Sequence, residues 1–157
     1  MRNIMKREVN IEDIKKLAQS FRTGIERAKQ ACELDGDAVF SRFPCGCCGD
    51  TCDLLAHFFN EYNIQAIYIC GTNYVEDPFD SQSHAWLLIN GELIVDITGD
   101  QFKFKKRFYN FNQEVFVGLS DPFYELFEVD PRRDIREYYL TERLKFLYQR
   151  IIKHIEL

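Results

Sequence analysis

The sequence predicts an α+β fold in which helices pack on an antiparallel sheet. Three observations lead there. The first half carries two segments whose apolar residues recur at helical spacing. The middle carries short β-branched and aromatic segments, two of them joined around Asn90-Gly91. A further helical pattern closes the chain. The 157 residues are read as one domain, 1–157, large enough to bury a core.

Asn10 is placed to cap a first helix running to about Leu34, with Ile11, Ile14, Leu17, Phe21, Ile25, Ala28 and Cys32 as its apolar stripe and Gly24 as its weakest point. Asp35-Gly36-Asp37 stops it, and Ala38 to Phe40 is expected to be extended. Pro44 and Gly46 break regular structure. From Cys48 onward, Cys48, Cys52, Leu55, Phe58, Phe59 and Tyr62 predict a second helix of about four turns.

Ile64 to Cys70 reads as a strand closed by Gly71, and Thr72 to Ser83 as a loop. SHAWLLI and ELIVDIT form a hairpin. Phe102 to Asn112 is irregular, Glu114 to Gly118 a further strand, and Phe123 to Glu128 a strand or loop. The last helix is expected to open at Asp130-Pro131, burying Ile135, Tyr138, Leu144, Leu147, Tyr148, Ile151 and Ile155.

Bulk composition excludes several classes. Hydrophobic residues make up 46% and aromatics 15%, which argues against disorder. A net charge of −5 argues against nucleic-acid binding, and the one basic cluster, Lys103 to Arg107, reads as a solvated turn. No apolar stretch approaches the roughly 18 residues of a membrane span, and none follows the charges at Arg2, Lys6 and Arg7 as a signal peptide requires. A cytoplasmic location is therefore expected. There a cysteine cluster points to metal binding or chemistry rather than to disulfides.

Such a cluster lies in FPCGCCGDTCDLL, where Cys45, Cys47, Cys48 and Cys52 fall close together. Cys48 sits in the first turn of the second helix, where unpaired N–H groups and the helix dipole favour a thiolate. Cys52 faces the core, Cys45 and Cys47 read as structural or incidental, and Cys32 and Cys70 as core residues.

Asp96, in the middle of an apolar strand, needs a partner, and His84 on the neighbouring strand is the candidate. A two-residue Asn90-Gly91 loop would send the two to opposite faces. A three-residue loop, Ile89-Asn90-Gly91, with Gly91 in a bulge, pairs Leu88 with Glu92 and sets His84 opposite Asp96. It also gathers Ala85, Leu87, Leu93, Val95 and Ile97 on one apolar face, so this register is expected. A carboxylate across from an imidazole fixes its tautomer, as the third member of a Cys-His-Asp triad does.

The segment from Gly46 to Gly71, GCCGDTCDLLAHFFNEYNIQAIYICG, followed by SHAW and IVDIT, resembles the transglutaminase-like superfamily of papain-fold thiol enzymes. Those carry Gly-x-Cys at a helix start, a strand ending in Gly, a His-Ala-Trp strand and an Asp-x-Thr strand. The resemblance covers roughly Phe43 to Phe102. It departs from the pattern in its extra cysteines and in lacking an upstream Trp or an evident oxyanion-hole Gln.

What the resemblance implies is a papain/transglutaminase-like core with the nucleophile helix packed on the sheet. Cys48 takes the nucleophile position, His84 the base and Asp96 the orienting acid. The expected function is acyl transfer from an amide or ester carbonyl through a thioester, with hydrolysis of a peptide or protein substrate favoured and no cofactor or metal. The Cys48 N–H is the expected oxyanion donor, Gln101 a second candidate, and Trp86 a wall of the site.

Other readings are a transglutaminase or N-acyltransferase with an amine acceptor, a zinc module built on Cys45 to Cys52, and an inactive interaction domain. His57 and His154 show no acidic partner in the sequence and read as packing or solvent-facing residues.

Overall fold

The computed structural model describes residues 10–131 and 140–157. Helix α1, Ile11–Gln30, starts where the Asn10 side-chain oxygen accepts the Glu12 N–H at 2.9 Å. Glu12 and Asp13 in its first turn, and Arg27 and Lys29 in its last, complement the helix dipole. The helix stops earlier than the sequence suggests, because Cys32 adopts φ 59° and the chain turns there. Cys32 is consequently exposed rather than part of the core.

Ala38 to Phe40 is not extended. The Asp37 carboxylate accepts the Val39 and Phe40 N–H groups and winds Phe40–Arg42 into a single 3-10 turn. Helix α2, Cys48–Glu61, follows.

Strands β1 (Ala66–Asn73), β2 (Gln82–Ile89), β3 (Leu93–Asp96), β4 (Phe116–Gly118) and β5 (Glu128–Val129) form one antiparallel sheet in the order β4-β3-β2-β1-β5. The strand expected to close at Gly71 runs on to Asn73, so the β1–β2 loop is shorter than Thr72 to Ser83. Within 123–128 the chain makes a short helix α3, Pro122–Glu125, before β5. Asp121 caps it by accepting the Phe123 N–H at 2.9 Å.

The last described helix is α4, Glu142–Ile152, capped by the Thr141 hydroxyl. Asp130 donates its backbone N–H to Cys70 O at 2.9 Å, prolonging the contact of β5 with β1. The expected helix positions Ile135 and Tyr138 lie outside the described residues.

The hairpin register differs too. Ile89 pairs with Leu93, Leu88 with Ile94 and Leu87 with Val95, so the loop is Asn90-Gly91-Glu92. Asn90 and Gly91 both have positive φ, 55° and 72°, and the Glu92 N–H closes a tight turn onto Ile89 O. Continued one step, this ladder sets Trp86, not His84, level with Asp96. A slip of two residues preserves the alternation of faces, so His84 and Asp96 still share one.

The sheet separates two cores. On one face Phe21 and Ile25 of α1, Leu54 and Leu55 of α2, and Leu147 and Ile151 of α4 pack on Ala85, Leu87 and Val95. On the other, Ile69, Trp86 and Ile94 are covered by Phe102, Phe108, Phe111, Phe123, Tyr124 and Phe127. None of the helices among the described residues is long and apolar enough to cross a membrane.

Candidate active site

Cys48 is the first residue of α2, so its N–H has no acceptor within the helix and faces outward with those of the next residues. The thiol is half-buried. Burial alone would raise its pKa, but interaction with the His84 side chain and with the Ala85 N–H outweighs this and favours the thiolate.

His84 and Asp96 are both buried, and the ring Nε2 lies 2.7 Å from Asp96 Oδ2. The carboxylate is fully engaged. Its Oδ1 accepts the Thr98 N–H at 2.9 Å and the Thr98 hydroxyl at 3.3 Å, and its Oδ2 also accepts the Tyr124 hydroxyl at 2.8 Å.

Burial would push the Asp96 carboxyl up, but His84 and these donors hold it below its ordinary range. Burial likewise works against a charged His84. The opposing Asp96 charge and hydrogen bond win and lift the imidazole to about 9. Burial, and then the neighbouring carboxylate, hold the Tyr124 hydroxyl firmly protonated.

Aromatic rings wall the imidazole. Trp86 lies 5.7 Å from it by ring centroids, Phe102 5.2 Å, Phe123 5.7 Å and Phe127 5.7 Å. Trp86 shares the face of His84 and is buried in this layer with its ring edge against Tyr124. Gly71, opposite His84 on β1, permits the close approach: a Cβ there would sit 2.8 Å from Phe127 Cβ and 3.2 Å from Glu128 O.

Gln101 stands on the His84 side of the Asp96 strand end. Its Nε2 donates to Thr98 O at 3.1 Å and lies 3.3 Å from His84 Nδ1.

Sequence reasoning missed the anchor of this turn. Arg22 of α1 is buried and grips Asp100 in a fork, Nη1 to Oδ1 at 2.8 Å and Nη2 to Oδ2 at 2.9 Å, while Nη1 also donates to Ile97 O at 2.7 Å. A cation between Ala18 and Ile25 on the apolar face of the helix was the available signal. Tyr124 carried none, since no spacing ties it to Asp96.

The other cysteines diverge. Cys45 is exposed, and Cys52 is buried. Cys47 is buried with its thiol on Val39 O and Cys45 O, and burial pushes its pKa up to about 12. Cys70 is half-buried. Among the described residues no group of three or more His, Cys, Asp or Glu is placed to hold a metal ion.

Two histidines do have acidic partners, contrary to expectation. His154 Nε2 meets Glu33 Oε1 at 2.6 Å, a long-range pairing, and His57 meets Glu61 at 3.8 Å across one helical turn. An open groove of about 680 Å³ between α1 and β4, lined by residues such as Lys15, Gln113 and Phe116, includes none of Cys48, His84 and Asp96. Comparison of the chain with models of known families, with curated proteins and with solved structures finds no match.

Proposed function

We propose that the protein is a cysteine-dependent acyl-transfer enzyme of the transglutaminase-like, papain-fold kind, acting on an amide or ester carbonyl of a peptide or protein and transferring the acyl group to water. One observation carries the reading. The imidazole that interacts with the Cys48 side chain also meets a carboxylate, with His84 Nε2 to Asp96 Oδ2 at 2.7 Å. A nucleophile at a helix start, followed in the chain by a base and an acid on adjacent antiparallel strands, supports a papain/transglutaminase-like core.

In this mechanism the Cys48 proton rests on Nδ1 of His84 at neutral pH, leaving a thiolate beside an imidazolium. The sulfur attacks the carbonyl carbon, and the oxyanion is met by the Cys48 N–H at the positive end of α2. As the tetrahedral centre collapses, the ring proton passes to the leaving amine or alcohol and a thioester remains on Cys48. His84 then takes a proton from water, the resulting hydroxide attacks the thioester, and the acid and the thiol are released. Asp96 keeps Nε2–H in place throughout and supports the imidazolium.

The test is alkylation by iodoacetamide at neutral pH with mass mapping, followed by thioester trapping with a peptide-amide library and a Cys48→Ala control. Cys48 is expected to react faster than Cys45 and Cys52, and to lose that advantage in His84→Ala. Equal rates at Cys48 and Cys45 would sink the reading. Products carrying an amine in place of water would reassign the acceptor.

A further inference from the structure

Gln101 touches the imidazole on the nitrogen that the reaction needs. Its Nε2 donates to Thr98 O at 3.1 Å, and since a carbonyl oxygen only accepts, the amide cannot be turned to present its oxygen there. What faces His84 Nδ1 at 3.3 Å is therefore an N–H donor. An N–H donor is satisfied there only by an Nδ1 that bears no proton. Asp96 on the opposite nitrogen favours a ring carrying its proton at Nε2 and, by its charge, a ring protonated on both nitrogens.

The two contacts therefore pull Nδ1 in opposite directions. We propose that Gln101 is a positioning residue that favours His84 with Nδ1 bare, the form able to take the Cys48 proton, and that its amide leaves the ring once that proton has arrived. This deepens the acyl-transfer reading and rests on it for its purpose, though not for its geometry.

The step balances. The Sγ–H bond of Cys48 breaks with its electron pair left on sulfur, the Nδ1–H bond forms, and the second amide hydrogen of Gln101, now opposed by Nδ1–H, turns away while the first stays on Thr98 O. Gln101 is half-buried, which leaves it space on its solvent side. The titratable groups facing the ring are Asp96 from β3 and Cys48 from α2, with Tyr124 of α3 acting through Asp96. Trp86, Phe102, Phe123 and Phe127 also lie against the ring.

The experiment compares wild type with Gln101→Met, which keeps length and removes the donor, and with Gln101→Ala. Two titrations are read: the ¹⁵N shift of His84 Nδ1 in labelled protein, and the pH profile of Cys48 alkylation by iodoacetamide, with the Cys45 rate as internal reference. Loss of one hydrogen bond to the ring should raise the pH at which Nδ1 gives up its proton by about one unit. The acid limb of Cys48 alkylation should keep its position, because thiol and thiolate there both face a ring protonated at Nδ1, which Gln101 does not bond.

A merely structural role leaves the Nδ1 titration where it is. An Nδ1 titration unchanged in both variants overturns the proposal. A shifted Nδ1 titration with an inert Cys48 in wild type would uphold the hold of Gln101 on the ring and instead overturn the acyl-transfer reading.

Discussion

Asp96 shows at the scale of one residue how a charge is kept inside an aromatic layer. Four donors from three residues converge on two oxygens, so the desolvation cost of an ionised carboxylate is offset by charge-assisted hydrogen bonds. Asp96→Asn keeps the volume but sets an NH₂ group against groups that donate, so the imidazole loses its fixed tautomer. Turnover of a peptide amide found in the trapping screen should fall by roughly 10³- to 10⁴-fold, the loss typical when a triad carboxylate becomes an amide. Retention of more than about a tenth of wild-type kcat/KM would remove Asp96 from the mechanism. Tyr124→Phe is the milder change. It deletes one donor to a charged acceptor and should cost about 1.5–3 kcal/mol in urea unfolding, since the carboxylate stays buried. With that donor gone the Asp96 carboxyl should titrate higher, and the loss of stability on acidification should begin at higher pH than in wild type.

At the scale of elements, glycines mark where segments meet too closely for a side chain. Gly24 looks like a flaw in α1, yet a Cβ there would lie 2.8 Å from Ile155 Cγ1 and 3.2 Å from Ile151 O, so the residue is where α1 meets the α4 segment. Gly99 follows the Asp96 strand, and a Cβ there would lie 2.6 Å from Phe111 Cε1 and 3.0 Å from Asp96 Oδ2. Gly99→Ala should therefore cost about 1–3 kcal/mol by overpacking and should slow Cys48 alkylation by displacing the carboxylate. Gly36→Ala, with nothing within 4 Å of the added carbon, should stay within about 0.5 kcal/mol of wild type. The contrast bears on what was legible in the sequence. The starts of α1 and α2 could be read because a capping Asn10 and the Pro44-Gly46 break are local signals, and the shared face of His84 and Asp96 survived a two-residue error because alternation has period two. The exact pairing was not legible, since either strand could slide by an even step without exposing its apolar face; the turn geometry at Asn90-Gly91 decided it. Tyr124 was invisible because its partner lies 28 positions away.

At the scale of the whole molecule, two layers lie on opposite faces of the sheet, and a few ionic contacts set how stability responds to substitution and to pH. Arg22 joins α1 to the turn after β3. Arg22→Met would leave Asp100 buried without its partner and should cost about 3–5 kcal/mol, whereas replacing both Arg22 and Asp100 by apolar residues should recover much of that loss. The pH response follows from the direction of each shift. Asp37, hydrogen-bonded to Arg143, is lowered from 3.8 to about 2, so its contribution is present above 3.8 and is lost as pH falls toward 2. Arg143→Ala should flatten that acid limb. His84 is raised from 6.5 to about 9, so its contribution is complete below 6.5 and disappears as pH rises through 9. Cys47 is raised from 9.0 to about 12, because the unfolded thiol ionises while the buried one resists, and its contribution is lost in a later window between those values. Urea midpoints measured from pH 6 to 11 in Cys48→Ala, where the lowered Cys48 thiol no longer offsets the His84 limb, should therefore decline in two stages. His84→Gln should remove the first stage and leave the second, and Cys47→Ala should do the reverse. A single decline that neither substitution alters would show that the imidazole and the buried thiol titrate in the folded protein much as they do in the unfolded chain, and the ion-paired site inferred from the Asp96 contact would lose its thermodynamic basis.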